Sequence, residues 1–167
     1  IQGINGRMGK VLCELIAQRD DCRIVGGVDV SAQSGSIPVA ASLEELNVKA
    51  DVIIDFSTPE ATKSALRYCQ STGTACVVCT TGLDEECGEL IQQTAEKAPV
   101  FKSANMSMGI NLLAELAQKA AQALGMDYDI EIIEKHHHNK VPAPSGTALL
   151  LADEINDATG NPYHSVY

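Results

Sequence analysis

Apolar positions along the chain alternate between two rhythms. Val11, Leu12, Leu15 and Ile16 recur at helical spacing behind a glycine-rich turn, and Arg19-Asp20-Asp21 closes the segment, which predicts a first helix. Cys22 to Val30 reads as a strand ending at Asp29, followed by a Ser/Gly/Gln loop from Ser31 to Ser36 and a short helical piece around Leu43 to Leu46. Asp51 to Phe56 is a nearly continuous apolar run, the texture of a strand buried in a parallel sheet. Ser57-Thr58-Pro59-Glu60 then supplies cap residues, a proline for a first helical turn and a carboxylate near a helix N-terminus, predicting a helix to about Ser71. The rhythm repeats with a strand from Ala75 to Cys79, a turn at Thr80-Thr81-Gly82, a helix from Asp84 to Lys97 and a strand from Val100 to Ser103.

Such alternation predicts βαβ crossovers and an α/β fold, a mostly parallel sheet with helices on both faces and ligands at the carboxyl ends of the strands. From Asn105 the texture changes to a long Ala/Leu helix (Leu112 to Leu124), a strand from Tyr128 to Ile133, and the segment Glu134-Lys135-His136-His137-His138-Asn139-Lys140-Val141-Pro142-Ala143-Pro144-Ser145-Gly146-Thr147. A domain junction is placed near Met106. The chain opens at Ile1-Gln2-Gly3, with no room for a strand before its glycine turn, and stops at Tyr167 just after Gly160-Asn161-Pro162, a pattern that predicts truncation at both ends.

Composition narrows the function classes. The 167 residues are 45% hydrophobic and 20% charged, which predicts a packed core and excludes disorder. The formal net charge of −10 has the wrong sign for neutralising a phosphate backbone, so nucleic acid is not an expected partner. Apolar stretches such as Val52 to Ile54 fall far short of the ~20 residues of a membrane-spanning helix, and neither a signal peptide nor a membrane partner is expected. The six cysteines sit inside apolar segments, favouring a reducing, cytoplasmic setting. Cys76-Val-Val-Cys79 has CxxC spacing, but its β-branched interior reads as a buried strand, and no second pair completes a metal site.

Gly3, Gly6 and Gly9 punctuate a strand-to-helix turn where absent side chains let a backbone approach a pyrophosphate. Asp29 follows Gly9 by 20 residues at a strand end, where a carboxylate can accept hydrogen bonds from an adenosine ribose, and Arg7 can reach phosphate. The bland reading is a tight glycine turn beside a solvated Asp. Val30 follows Asp29, and no Lys or Arg comes before Lys49; a 2′-phosphate finds no adjacent cation, which favours NADH over NADPH.

Three consecutive histidines offer an acid or base with a pKa near neutrality. In extended chain only His136 and His138 could share a metal, and no convincing third ligand completes that site; no metal is expected. Lys140 reads as an anion partner, a proton donor or an exposed cation. Ser145-Gly146-Thr147 precedes the apolar run Ala148 to Ala152, leaving the Gly146 and Thr147 N–H groups at a helix N-terminus as a second anion cradle, or simply as a capped helix start.

With these motifs in view the chain resembles the 4-hydroxy-tetrahydrodipicolinate (dihydrodipicolinate) reductase family of the lysine and diaminopimelate pathway. The resemblance is carried by the GxxGRMG turn (Gly3 to Gly9), DFSTPEA (Asp55 to Ala61), Thr80-Thr81-Gly82, SANMSMGIN (Ser103 to Asn111) and EKHHHNKVPAPSGTA (Glu134 to Ala148). It implies a Rossmann-type parallel-sheet domain over residues 1–106, its first strand truncated. Residues 107–167 would be part of a mixed α/β substrate-binding and catalytic domain, truncated at its C-terminus, in a protein that forms a homotetramer at full length. It further implies that Gly3, Ile4, Asn5, Gly6, Arg7 and Met8 hold the pyrophosphate and Asp29 the ribose. Cys79, Thr80, Thr81, Ser103, Ala104, Asn105 and Met106 would flank the nicotinamide of NADH or NADPH. His136 matches the catalytic histidine, Lys140 the proton donor, and His137, Gly146 and Thr147 the contacts of a small dicarboxylate substrate. The implied reaction is hydride transfer to a cyclic dicarboxylic imine with loss of water. The competing readings are a non-catalytic NAD-binding module, or a different Rossmann oxidoreductase acting on an aldehyde or sugar.

Overall fold

The computed structural model describes residues 1–31, 35–138 and 143–160, without the Met126 side chain. Two compact units divide the chain, Ile1–Ser103 and Ala104–Tyr167.

The described residues of the first unit form an α/β sheet with five strands: β1 (Gly27–Val28), β2 (Val39–Ala40), β3 (Val52–Asp55), β4 (Ala75–Val78) and β5 (Val100–Lys102). Pairing is parallel throughout, β1 with β2, β3 with β4 and β4 with β5. Gln2 joins the two groups through parallel bridges to Val28 and Asp55. Its N–H donates to Ile54 O at 2.9 Å, while Val28 N–H donates to Ile1 O at 2.9 Å. Counting this N-terminal stretch as the first strand, the order is that of a doubly wound nucleotide-binding sheet, with the chain reversing direction of growth between Gln2 and β3. The helices α1 (Arg7–Ile16), α2 (Pro59–Thr72) and α3 (Glu85–Ala95) make the crossovers.

Local chemistry sets the helix ends. The Thr58 and Asp84 side chains cap α2 and α3 by accepting from Ala61 N–H and Cys87 N–H, Pro59 opens α2, and Gly73 ends it in the left-handed region at φ 74°. Ile53, Leu66, Cys69, Cys76, Val78 and Ala98 form the core between the sheet and the helices, with Tyr68, Leu90 and Ile91 packed against it. An apolar cavity of about 540 Å³ is lined by Leu12, Leu15, Ile16, Leu43, Leu46 and Ile53 among others, but by none of residues 3–8 nor by Asp29.

The second unit contains α4 (Met108–Leu124), a short 3₁₀ turn (Gly125–Asp127) and α5 (Gly146–Thr159). Ala114 and Ala121 of α4 and Ala148 and Ile155 of α5 are buried, and Gln122 Nε2 donates to Ala158 O at 2.8 Å, tying the two helices together. Among the described residues no helix is long and apolar enough to cross a membrane.

Three sequence expectations are corrected. Of the strand expected over Cys22 to Val30, only Gly27–Val28 forms, and it pairs with the unforeseen β2; the ladder exists only where Ile1–Gly3 and Val39–Ala40 offer partners. Leu43 to Leu46 is a single hydrogen-bonded turn, Leu46 N–H to Leu43 O at 3.3 Å, rather than a helix. Tyr128 to Ile133 is not a strand: an alternating apolar pattern becomes a strand only beside a partner ladder, and the described residues of this unit offer none.

Candidate functional site

The glycine turn ends the N-terminal stretch and starts α1. Gly3 sits at φ +77°, and a Cβ there would stand 2.4 Å from Phe56 O; a Cβ on Gly9 would stand 2.3 Å from Gly3 O. Both positions therefore demand glycine, the first for conformation and close approach, the second so that α1 can pack onto its own turn. Gly6 caps α1 without a side chain, and no acidic residue lies in the first turn. The first turn thus adds no anion of its own, and Arg7 and Met8 are exposed on it, an arrangement that fits a phosphate. Ile4 contributes differently: its side chain is buried beneath Gly27, so only its backbone can face a ligand.

Asp29 is anchored to this turn. Its Oδ2 accepts from Asn5 N–H at 3.0 Å, and its Oδ1 accepts from Ser31 N–H at 3.1 Å and Ser31 Oγ–H at 2.9 Å. Asn5 Nδ2 in turn donates to Ser31 O at 2.6 Å. Partial burial pushes the Asp29 carboxyl upward, but the Ser31 and Asn5 hydrogen bonds outweigh it and hold the group below the usual carboxylate range. A carboxylate has about four lone-pair sites, and Asn5 and Ser31 together fill at least three of them. Val30 projects outward, 99% exposed.

The loops that follow β3 and β4 meet the turn at the strand ends. Cys79 is buried, and burial, reinforced by Asp55, pushes its thiol up to about 11, keeping it a neutral thiol at physiological pH. Thr80 is buried and its hydroxyl faces inward, donating to Asp55 Oδ2 at 3.0 Å and accepting Ser57 N–H at 3.0 Å. Thr81 and Gly82 are exposed. Ser103 N–H donates to Val78 O at 3.1 Å and closes the first unit.

Ala104, Asn105 and Met106 belong to the second unit. Met106 is exposed, whereas Asn105 is tied inward: its Oδ1 accepts Ser107 N–H at 2.8 Å, and its Nδ2 donates to Thr147 Oγ1 at 2.9 Å. Around the histidines, Glu134 is the organising group. Its Oε2 lies 2.9 Å from His136 Nε2 and its Oε1 accepts Ser145 N–H at 2.9 Å. The His136 contact and then the Ser145 hydrogen bonds depress its pKa to about 2. An ionised carboxylate only accepts, so His136 Nε2 carries the hydrogen in this contact and Nδ1 is the nitrogen left for other chemistry. Ser145 Oγ caps α5 by accepting Ala148 N–H at 3.1 Å, with Gly146 and Thr147 as the first helical residues. His137 and His138 are exposed, and Lys140 lies outside the described residues. Among the described residues no three His, Cys, Asp or Glu side chains are grouped to hold a metal.

Several of the organising residues carry no role in the sequence reading: Ser31, Asp55, Ser57 and Glu134. A charge at the end of an apolar run marks Asp55, and a carboxylate two residues before a histidine marks Glu134; Ser57 is legible only as part of the helix-capping segment, and Ser31 carries no signal beyond lying in a loop after a strand.

Comparison with known proteins agrees with this layout. The N-terminal model of dihydrodipicolinate reductase matches residues 1–106 and the C-terminal model residues 109–166. The 4-hydroxy-tetrahydrodipicolinate reductase of Clostridium tetani is 44% identical over 166 residues, covering 99% of this chain and 65% of that protein. The enzyme of the same name from Clostridium botulinum is 42% identical over 167 residues, covering 100% and 66%. This chain thus spans slightly less than two thirds of the curated relatives it matches. A solved structure titled dipicolinate-bound dihydrodipicolinate reductase, from Paenisporosarcina sp. TG-14, superposes with a TM-score of 0.76 at 26% identity, covering 99% of this chain and 67% of that one. By its sequence matches over nearly its whole length, the chain belongs to the dihydrodipicolinate reductase family.

Proposed function

We propose that the protein reduces 4-hydroxy-tetrahydrodipicolinate to tetrahydrodipicolinate with NADH or NADPH, as a cytoplasmic enzyme of lysine and diaminopimelate synthesis that works as a homotetramer. The observation that carries this reading is Glu134, whose two oxygens engage His136 and the Ser145 N–H at the start of α5. A histidine and a helix N-terminus are thereby held by one carboxylate, the combination needed to handle a proton beside an anionic substrate.

The dinucleotide residues are Gly3 to Met8 at the pyrophosphate and Asp29 at the ribose, with Cys79, Thr80, Thr81 and Ser103 to Met106 toward the nicotinamide. When bound, the reduced nicotinamide supplies a hydride. Asp29, ionised and next to Val30, favours the free 2′-hydroxyl of NADH over a 2′-phosphate. On the substrate side, Gly146 and Thr147 offer backbone N–H groups to one carboxylate and His137 a contact to it. His136 is the acid–base group, held by Glu134, and Lys140 the proton donor. Positioned proton transfer of this kind contributes about 10²–10⁴-fold to rate. Exposed Leu112, Leu113 and Leu116 on α4 support a unit that covers further apolar surface in an assembled enzyme.

Calorimetric titration with NADH and then NADPH, each repeated with pyridine-2,6-dicarboxylate present, tests the reading. Nucleotide binding strengthened by the dicarboxylate supports it; nucleotide binding that ignores the dicarboxylate favours a non-catalytic NAD-binding module.

A further inference from the structure

Asp55 ends β3 with its carboxylate wholly buried. Three hydroxyls donate to it: Ser57 Oγ to Oδ1, Thr62 Oγ1 to Oδ2 at 2.5 Å and Thr80 Oγ1 to Oδ2 at 3.0 Å. Each comes from a different place. Ser57 lies in the loop between β3 and α2, Thr62 on α2, and Thr80 in the loop after β4. The two loops are also bonded to each other, because Thr80 Oγ1 accepts Ser57 N–H at 3.0 Å. The glycine turn joins the same knot. Gln2 O accepts Phe56 N–H at 3.1 Å, and Gly3 approaches Phe56 O so closely that a Cβ would meet it at 2.4 Å. The far end of the second loop is fixed independently, since Asp84 caps α3 and pairs with Lys63 of α2 at 2.7 Å. Thr81 and Gly82 at its tip are exposed.

We propose that Asp55 is a positioning residue for cofactor binding: through Thr80 and Ser57 it locks the glycine turn and the loops after β3 and β4 into the one arrangement that receives the dinucleotide. This rests on the dinucleotide reading given above and adds to it a residue that, being fully buried, touches no ligand. It also reassigns Thr80, whose hydroxyl is used inward. The carboxylate is suited to the task because it accepts at several lone pairs at once, where an amide oxygen offers two and a hydroxyl must also donate. Satisfied polar networks of this kind specify a single local geometry, and misplacing groups near a site by about 1 Å can cost about 10²-fold.

The two threonines on Oδ2 separate a positioning role from a merely structural one. Thr80→Val removes the loop contact and Thr62→Val the helix contact, both nearly isosteric; Thr80→Ser returns the hydroxyl. Dissociation constants for NADH, melting temperatures and amide hydrogen exchange over residues 80–83 are measured for the unsubstituted chain and all three variants. The expected result is NADH affinity lowered at least tenfold in Thr80→Val, restored to within about threefold by Thr80→Ser, and unchanged in Thr62→Val despite its lower melting temperature. Exchange at residues 80–83 should quicken only in Thr80→Val. Equal losses of affinity in the two valine variants, or unchanged affinity in Thr80→Val, overturn the proposal while leaving the dinucleotide reading intact. An unsubstituted chain that binds no NADH, with exchange still quickened in Thr80→Val, overturns the cofactor role itself and reduces Asp55 to a loop clasp.

Discussion

Glu134 Oε2 stands 2.9 Å from His136 Nε2, two residues along the chain, and the other oxygen of the same carboxylate holds the N–H of Ser145, eleven residues away. One side chain thus sets the imidazole and the entrance to α5 together. Removing it should disturb both at once. For the proposed reduction, Glu134→Ala is expected to lower kcat by on the order of 10²-fold and also to weaken pyridine-2,6-dicarboxylate binding. Glu134→Gln, with one accepting oxygen, should retain one contact and fall between. A Glu134→Ala enzyme with unchanged kcat and unchanged dicarboxylate affinity would remove Glu134 from the site.

The low pKa of Glu134 has a pH consequence. Its folded-state value of about 2 lies below the ordinary 4.5, so the clamp is stabilising at pH above about 4.5 and is lost as pH falls through about 2. Protection of the Ser145 amide against hydrogen exchange, taken relative to the intrinsic rate at each pH, should therefore persist at pH 4, where a free glutamate is more than half protonated, and be lost only toward pH 2. Loss of protection already between pH 5 and 4 would contradict the contact.

In the proposed function Asp29 meets the nucleotide's adenosine end. Asp29→Ala removes the acceptor for a ribose hydroxyl and also frees Asn5 N–H and Ser31. NADH affinity should fall about tenfold, equivalent to about 1.4 kcal/mol, while NADPH affinity falls less, because a negative charge near the 2′-phosphate disappears. The ratio of the two dissociation constants, measured on the same preparation, checks this; an unchanged ratio contradicts it.

Gly9→Ala places a methyl 2.3 Å from Gly3 O and 2.4 Å from Ile4 O. Neither is a flexible side chain, so the turn itself must move. Overpacking of this sort costs about 1–3 kcal/mol, and the variant should melt earlier and lose NADH affinity together. Gly88→Ala in α3, where a Cβ meets nothing within 4 Å, is the control that should do neither.

Lys63 links α2 to the start of α3. Its side chain is 6% exposed and its Nζ meets Glu60 at 3.2 Å, Asp84 at 2.7 Å and Glu86 at 2.6 Å, contacts that push its pKa up, first through Asp84 and Glu86. Asp84 is held at about 2 by Lys63 and then by Cys87 N–H, against an ordinary 3.8. The sign follows from linkage: this stability is present above about pH 4 and is lost as pH falls toward 2. Lys63→Met should lower the melting temperature at pH 7 and flatten its fall between pH 4 and 2. Parallel melting curves for the two proteins across that range would rule out the linkage.

The sequence by itself determined what depends on neighbours along the chain. The caps at Thr58, Asp84 and Ser145, Pro59 at the start of α2 and the crossover helices follow from side chains a few residues from the backbone groups they satisfy. The buried strands β3 and β4 follow from apolar runs too long for turns and too short for helices. The glycine turn with Asp29 beyond it, and the histidine segment before α5, were visible as motifs for the same reason. The tertiary structure decided whatever needs a partner from elsewhere. Only two residues of the expected Cys22 to Val30 strand found a ladder, Val39–Ala40 became a strand because β1 lay beside it, and Tyr128 to Ile133 formed none. The direction of Thr80's hydroxyl, the sharing of Asp55 among three segments and the double engagement of Glu134 are likewise invisible in a linear reading. A side chain's hydrogen-bond partners are chosen by which strand ends and loops the fold brings within about 3 Å, and that distance is set by packing, not by sequence spacing.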